Sequence, residues 1–78
     1  MIPLIMIEKT ADGNWRGMGL QHFMVMPRVG EHIEVGDSKG TAQIYEVVAV
    51  IHPLQPTPNG GDIIVRYVAE GTEFRTGL

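Results

Sequence analysis

The sequence predicts an all-β chain that folds as one small, partly open barrel of about five to six antiparallel strands, with residues 1–78 forming a single domain. Three observations lead there. Ten glycines and five prolines are spread along the 78 residues and are not gathered into a linker, so the ordered elements between them are short. The longest stretch free of both, residues 41–52, contains Ile44-Tyr45-Glu46-Val47-Val48-Ala49-Val50-Ile51, a β-branched and aromatic run that disfavours helix. Apolar residues make up 44% and charged residues 19%, which suits a packed core and not a disordered chain.

The first strand is expected over residues 2–9, apolar on both faces through Ile2, Leu4, Ile5, Met6 and Ile7. Thr10-Ala11-Asp12-Gly13-Asn14 supplies its turn, because Asp-Gly and Asn tolerate positive φ. Trp15-Arg16 and the glycines Gly17 and Gly19 then read as a long connection to a second strand over 21–26, which ends at Pro27. Residues 31–35 alternate, with Ile33 and Val35 on one face and His32 and Glu34 on the other, before a turn at Asp37-Ser38-Lys39-Gly40. Residues 44–52 and 62–70 form an antiparallel hairpin across a connection stiffened by Pro53, Pro56 and Pro58 and turned by Asn59-Gly60-Gly61. Tyr45, Val47, Ala49 and Ile51, with Ile63, Val65, Tyr67 and Ala69, make the expected core face. A short last strand over 72–75 places Phe74 over the barrel end, and no helix is expected.

The opposite face of that hairpin is half apolar, carrying Ile44, Val48, Val50, Ile64 and Val68 beside Glu46, His52, Asp62, Arg66 and Glu70. With residue 51 opposite 63, Val50 faces Ile64 and Glu46 lies within ion-pair reach of Arg66. Two readings of this face are open. Either Val48, Val50, Ile64 and Val68 form a subunit interface, or the first strand covers them within the same chain. A single core in so short a chain supplies little stability, which favours a homo-oligomer.

The stretch Pro27-Arg28-Val29-Gly30-Glu31-His32-Ile33-Glu34-Val35 resembles the Val-Gly-acidic-x-hydrophobic-x-Val opening strand of the small SH3-like β-barrels, and residues 45–52 are similar in order and spacing to their middle strands. The chain also resembles short proteins of phages and bacterial mobile elements. The likeness covers about residues 27–70 and implies an SH3-like barrel. Members of that group bind proline-rich peptides, nucleic acid or protein subunits. This chain has neither an exposed aromatic cluster for the first nor a basic stripe for the second.

Chemistry is sparsely signalled. The absence of cysteine excludes a disulfide framework, a zinc knuckle and a thiol nucleophile. His22, His32 and His52 fall on separate strands without His-x-His spacing, so no metal is assigned; His52, before Pro53, is the histidine expected to have a structural partner. Ser38 is explained by its turn, and Gly17-Met18-Gly19 lacks the third glycine and the helix of a phosphate cradle, so no catalytic residue and no cofactor are assigned. A net charge of −3 opposes sequence-independent nucleic-acid binding. The apolar start lacks a basic region and is too short to span a bilayer, so the cytoplasm, away from membranes, is the expected location.

Trp15 and Arg16, types enriched at binding hot spots, read either as an exposed loop site or, for Trp15, as a plug of the barrel end. Met18, Met24 and Met26 read as a soft surface or as core filler. The expectation is thus a non-catalytic, homo-oligomeric module for protein binding or assembly. Its alternative is a binder of a small anionic metabolite or nucleotide, or a very small enzyme, with a site of Trp15, Arg16, Arg66, Tyr67 and His52 between subunits.

Overall fold

The computed structural model describes residues 1–36, 41–55 and 57–77. Five strands, β1 (Ile2–Lys9), β2 (Trp15–Phe23), β3 (His32–Val35), β4 (Gln43–Ile51) and β5 (Asp62–Glu70), precede a short helix, α1 (Gly71–Thr76). They form one curled sheet in the order β2-β1-β5-β4-β3, a small all-β half-barrel with β2 and β3 at its edges. A groove of about 450 Å³ lined by Met6, Phe23, Ile33 and Val35 among others marks the open seam between those edges. The turn expected at Asp37-Ser38-Lys39-Gly40, with Ser38 in it, lies outside the described residues, as does Pro56 of the hairpin connection.

Three ladders are antiparallel, but the central one, from Ile5↔Asp62 to Glu8↔Val65, is parallel, where antiparallel pairing was expected throughout. The physical reason lies in composition. β1 is apolar on both faces and so is Ile63-Ile64-Val65, and continuous apolar runs suit strands flanked on both sides within a sheet. β1 therefore does not lie across the outer face as a cover; it is a strand inside the same sheet. The β4–β5 connection is tied to it, since the Gly60 N–H donates to the Pro3 carbonyl at 2.6 Å and the Ile5 N–H to the Gly61 carbonyl at 3.1 Å. Gly61 has φ +125°, and a Cβ there would stand 2.3 Å from the Ile51 carbonyl oxygen, so only glycine fits this close approach.

β2 begins at Trp15 and absorbs Gly17 and Gly19, so these glycines lie within a strand and not in the connection expected from the sequence. Its register against β1 slips between Ile5↔Leu20 and Ile7↔Gly17, which leaves Met18 and Gly19 together opposite Met6. Gly19, at φ +81°, supplies the left-handed residue of this bulge. β3 and the β4–β5 hairpin fall close to where the alternation places them, but their pairing differs. Ile51 faces Asp62 and Val50 faces Ile63; beyond Val48, which is the extra residue of a second bulge, Val47 faces Val65 and Glu46 faces Arg66. The bulge turns Val50 toward the core side, where it packs at the margin. The core is Leu4, Met6, Tyr45, Val47, Ile63 and Val65. Of the eight hairpin residues expected there, Ile51 is instead 49% exposed and Tyr67 44%, and Ala49 and Ala69 are only partly buried.

The last expected strand, over 72–75, is the helix α1. The ladder with β4 stops at Gln43↔Glu70; the Gly71 N–H still donates across to the Ala42 carbonyl at 2.8 Å, and beyond it the chain closes local hydrogen bonds. Glu73 in the first turn and Arg75 in the last match the helix dipole. The helix is fastened to the β3 edge: Arg75 Nη2 donates to both Glu34 carboxylate oxygens at 2.9 and 2.8 Å, and the Phe74 ring lies 4.8 Å from that of His32.

The bulged register separates two isoleucines that the straight register would treat alike. Ile63→Ala should cost about 2–5 kcal/mol in urea unfolding, and Ile51→Ala less than about 1 kcal/mol. Equal losses would restore the unbulged hairpin.

Candidate functional site

At one end of the core a polar cluster replaces the aliphatic packing. Glu8 follows Leu4 and Met6 on the inward face of β1, and its side chain is only 11% exposed. Arg16 stands directly across on β2, and its Nε donates to Glu8 Oε1 at 2.9 Å. Arg16 Nη2 reaches the Tyr45 hydroxyl at 3.5 Å, and Tyr45 meets Tyr67 edge to face with centroids 5.7 Å apart. The hydrogen bond and charge of Glu8 hold the Arg16 guanidinium protonated above its ordinary range. Partial burial raises the Tyr67 phenol above its usual value, and the carboxylates of Glu70 and Glu73 push the same way. Neither the Arg16 guanidinium nor the Tyr67 phenol exchanges a proton near neutral pH.

Outside this cluster lies an open cleft of about 660 Å³, between residues 8–11 and 13 on one side and Val48, Arg66 and Tyr67 on the other. Arg66 is ion-paired with Glu46, as the sequence suggested, but from the directly opposite position and not the diagonal one, because the bulge at Val48 shifts the register. Lys9 places its ammonium 5.6 Å from the Trp15 ring centroid. In the turn beneath, the Asp12 carboxylate accepts from the Thr10 hydroxyl and from Asn14, which lowers its pKa.

The five residues expected to share a binding site are only partly brought together. Arg66 and Tyr67 line the cleft, and Arg16 reaches Tyr67 through Tyr45. Trp15 is 60% exposed at the start of an edge strand, neither in a loop nor plugging the barrel. His52 follows the far end of β4, exposed and without a partner among the described residues; His32, against Phe74, is the histidine with a ring contact. Met18 and Met26 pack at the core margin, and Met24 is exposed. Among the described residues no three histidine or acidic side chains converge on a metal position, and no helix is long and apolar enough to cross a membrane. Composition alone gave no sign of the Glu8–Arg16–Tyr45 cluster; its signal was a carboxylate in phase with the apolar inward positions Leu4 and Met6.

The face opposite the core carries aliphatic rows. One runs Gly17–Ile7–Ile64–Ala49 and the next Leu20–Ile5–Asp62–Ile51, each crossing β2, β1, β5 and β4. Of the expected interface residues, Ile64 is central to this face though buried by its neighbours, Val48 and Val68 are on its margin, and Val50 is on the core side. Compared with protein-family models, curated proteins and solved structures, the chain matches none.

Arg16→Met leaves the Glu8 carboxylate without its cation and should cost about 1–3 kcal/mol in urea unfolding. Glu8→Leu combined with Arg16→Met should recover most of that loss. Tyr67 has a raised folded-state pKa, so its contribution to stability is complete below the ordinary phenol value of about 10 and is lost as pH rises through the folded-state value. Alkaline absorbance titration should show a late tyrosine ionisation that moves earlier when Glu70→Gln and Glu73→Gln are combined.

Proposed function

We propose that this protein is a non-catalytic β module that works by associating with copies of itself, as an assembly or protein-binding unit. The observation that carries the reading is the aliphatic outer face: Leu20, Ile5, Ile7, Ile64, Ala49 and Ile51 lie side by side across four strands on the side away from the core. Leu20 and Ile51, at its two ends, are each 49% exposed. Contiguous apolar surface of this kind on a small chain marks an interaction site, and the sheet geometry suits sheet-on-sheet packing about a two-fold axis. The Glu46–Arg66 ion pair borders the rows and gives them a polar rim.

Chemistry in the chain supports the same class. Each arginine is engaged by a glutamate: Arg16 by Glu8, Arg28 by Glu31, Arg66 by Glu46 and Arg75 by Glu34. A small anion held by any of these arginines would have to break one of the pairs.

Because Leu20 and Ile51 are half-exposed in the single chain, Leu20→Glu and Ile51→Glu should leave the β-rich circular dichroism unchanged. Native mass spectrometry should show an oligomer for the wild type, weakened about tenfold or more by each substitution. A wild-type monomer at high micromolar concentration, or an oligomer indifferent to both changes, would overturn the reading.

A further inference from the structure

β1 and β5 run side by side only as far as Glu8 and Val65. There β1 turns away into the Thr10–Asn14 turn, which closes on itself through Thr10 N–H to Asn14 carbonyl and Gly13 N–H to Thr10 carbonyl bonds. β5 continues to Glu70 and stays paired with β4 through Glu46↔Arg66, Tyr45↔Tyr67, Ile44↔Ala69 and Gln43↔Glu70. From Arg66 onward, therefore, β5 has a ladder on one side only among the described residues. The backbone groups on its other side face the wedge vacated by β1, and the open cleft of about 660 Å³ lies there. Unpaired strand N–H and C=O groups are a template for another strand.

The charges at the two ends of this edge differ in sign. Lys9 borders the cleft and makes no ion pair among the described residues; its ammonium rests only on Trp15. Glu70 and Glu73, at the other end and close enough to influence the Tyr67 phenol, are likewise without a salt bridge among the described residues. Between these ends β5 carries a bulge at Val68, because Tyr67 pairs with Tyr45 and Ala69 with Ile44, and the Tyr67 ring is 44% exposed.

We propose that an extended peptide segment of a partner protein enters this wedge and adds to the free edge of β5 as an antiparallel strand, with a basic residue toward Glu70 and Glu73 and a carboxylate toward Lys9. A peptide cationic at its N-terminal end and acidic at its C-terminal end meets both ends of this edge when it runs antiparallel to β5. What the wedge offers is main-chain hydrogen bonding along a strand, at a rise of about 3.3 Å per residue, and not a convergent set of side chains around a compact ligand. The site goes beyond self-association and does not depend on it.

The test uses the full ¹⁵N-labelled chain and three synthetic pentapeptides: acetyl-Lys-Val-Thr-Val-Glu with a free carboxylate, an analogue with the two charged residues exchanged and its C-terminus amidated, and a backbone N-methylated form of the first. The first peptide should shift amides of residues 9–14 and 66–70 and slow hydrogen exchange at 66–70. The exchanged and the N-methylated peptides should bind about tenfold or more weakly, and Lys9→Glu should weaken the first peptide while leaving the fold intact. The proposal is overturned if no shifts appear at millimolar peptide, if they fall on the Leu20–Ile51 face, or if the N-methylated form binds equally well. Protection of residues 66–70 that rises with protein concentration in the absence of peptide would also overturn it, because a second copy would then occupy the wedge.

Discussion

The short parallel ladder between β1 and β5 is the contact on which the rest of the structure depends. Without it the chain divides into a β1–β2 hairpin and a β3–β4–β5 meander, and a lone two-stranded hairpin is marginal in water. The ladder sets Met6 beside Ile63, which completes the inner row, and Ile7 beside Ile64, which completes the outer one. Its partners are far apart in sequence, so loop closure opposes it until Gly60 and Gly61 dock on Pro3 and Ile5. The glycine-only approach at Gly61 is thus a condition of the whole sheet and not only of one turn.

The same ladder creates the two surfaces that bear on function. Where it is intact, β1 and β5 present adjacent aliphatic side chains on the face away from the core, and the outer rows result. Where it stops, at Glu8 and Val65, the strands part and a cleft opens beside the unpaired length of β5. Glu8 is the last partner on β1, and its pairing with Arg16 caps the core at the point of divergence. Burying that carboxylate is tolerable because a guanidinium and a tyrosine hydroxyl close the charge off from the apolar interior.

Electrostatics reinforces this division of surfaces. The arginine–glutamate pairs link neighbouring strands, a loop and the helix, and most are exposed pairs of small individual worth. Their collective effect is on what remains: the side chains of Lys9, Asp12, Asp62, Glu70 and Glu73 carry charge without a salt bridge among the described residues, and three of these five border the cleft or the end of β5. Asp62 interrupts the second aliphatic row, so a copy packing there must place something other than its own Asp62 opposite.

Much of the architecture was legible in the residues themselves. The β-branched runs of β4 and β5, the alternation of β3 and the Asp-Gly and Asn-Gly turns are local signals, and the strands stand close to where those signals put them. The half-apolar outer face and the Glu46–Arg66 pair were legible for the same reason, since both follow from the two-residue period of a strand. Local signals carry no information on which distant strand becomes a neighbour, so the parallel β1–β5 ladder and the cleft at its end belonged to the tertiary structure. A bulge is equally invisible to alternation: one extra residue at Val48 moved Val50 to the core side and Ile51 to the surface. By itself, then, the sequence determined an all-β chain, its turns and its apolar runs, because short-range sterics and side-chain period act within a few residues. Only the folded sheet decided the strand order, the bulged registers, the helical end and the union of Glu8, Arg16 and Tyr45, because each of these depends on which backbone hydrogen-bonding groups remain unpaired after distant strands have met.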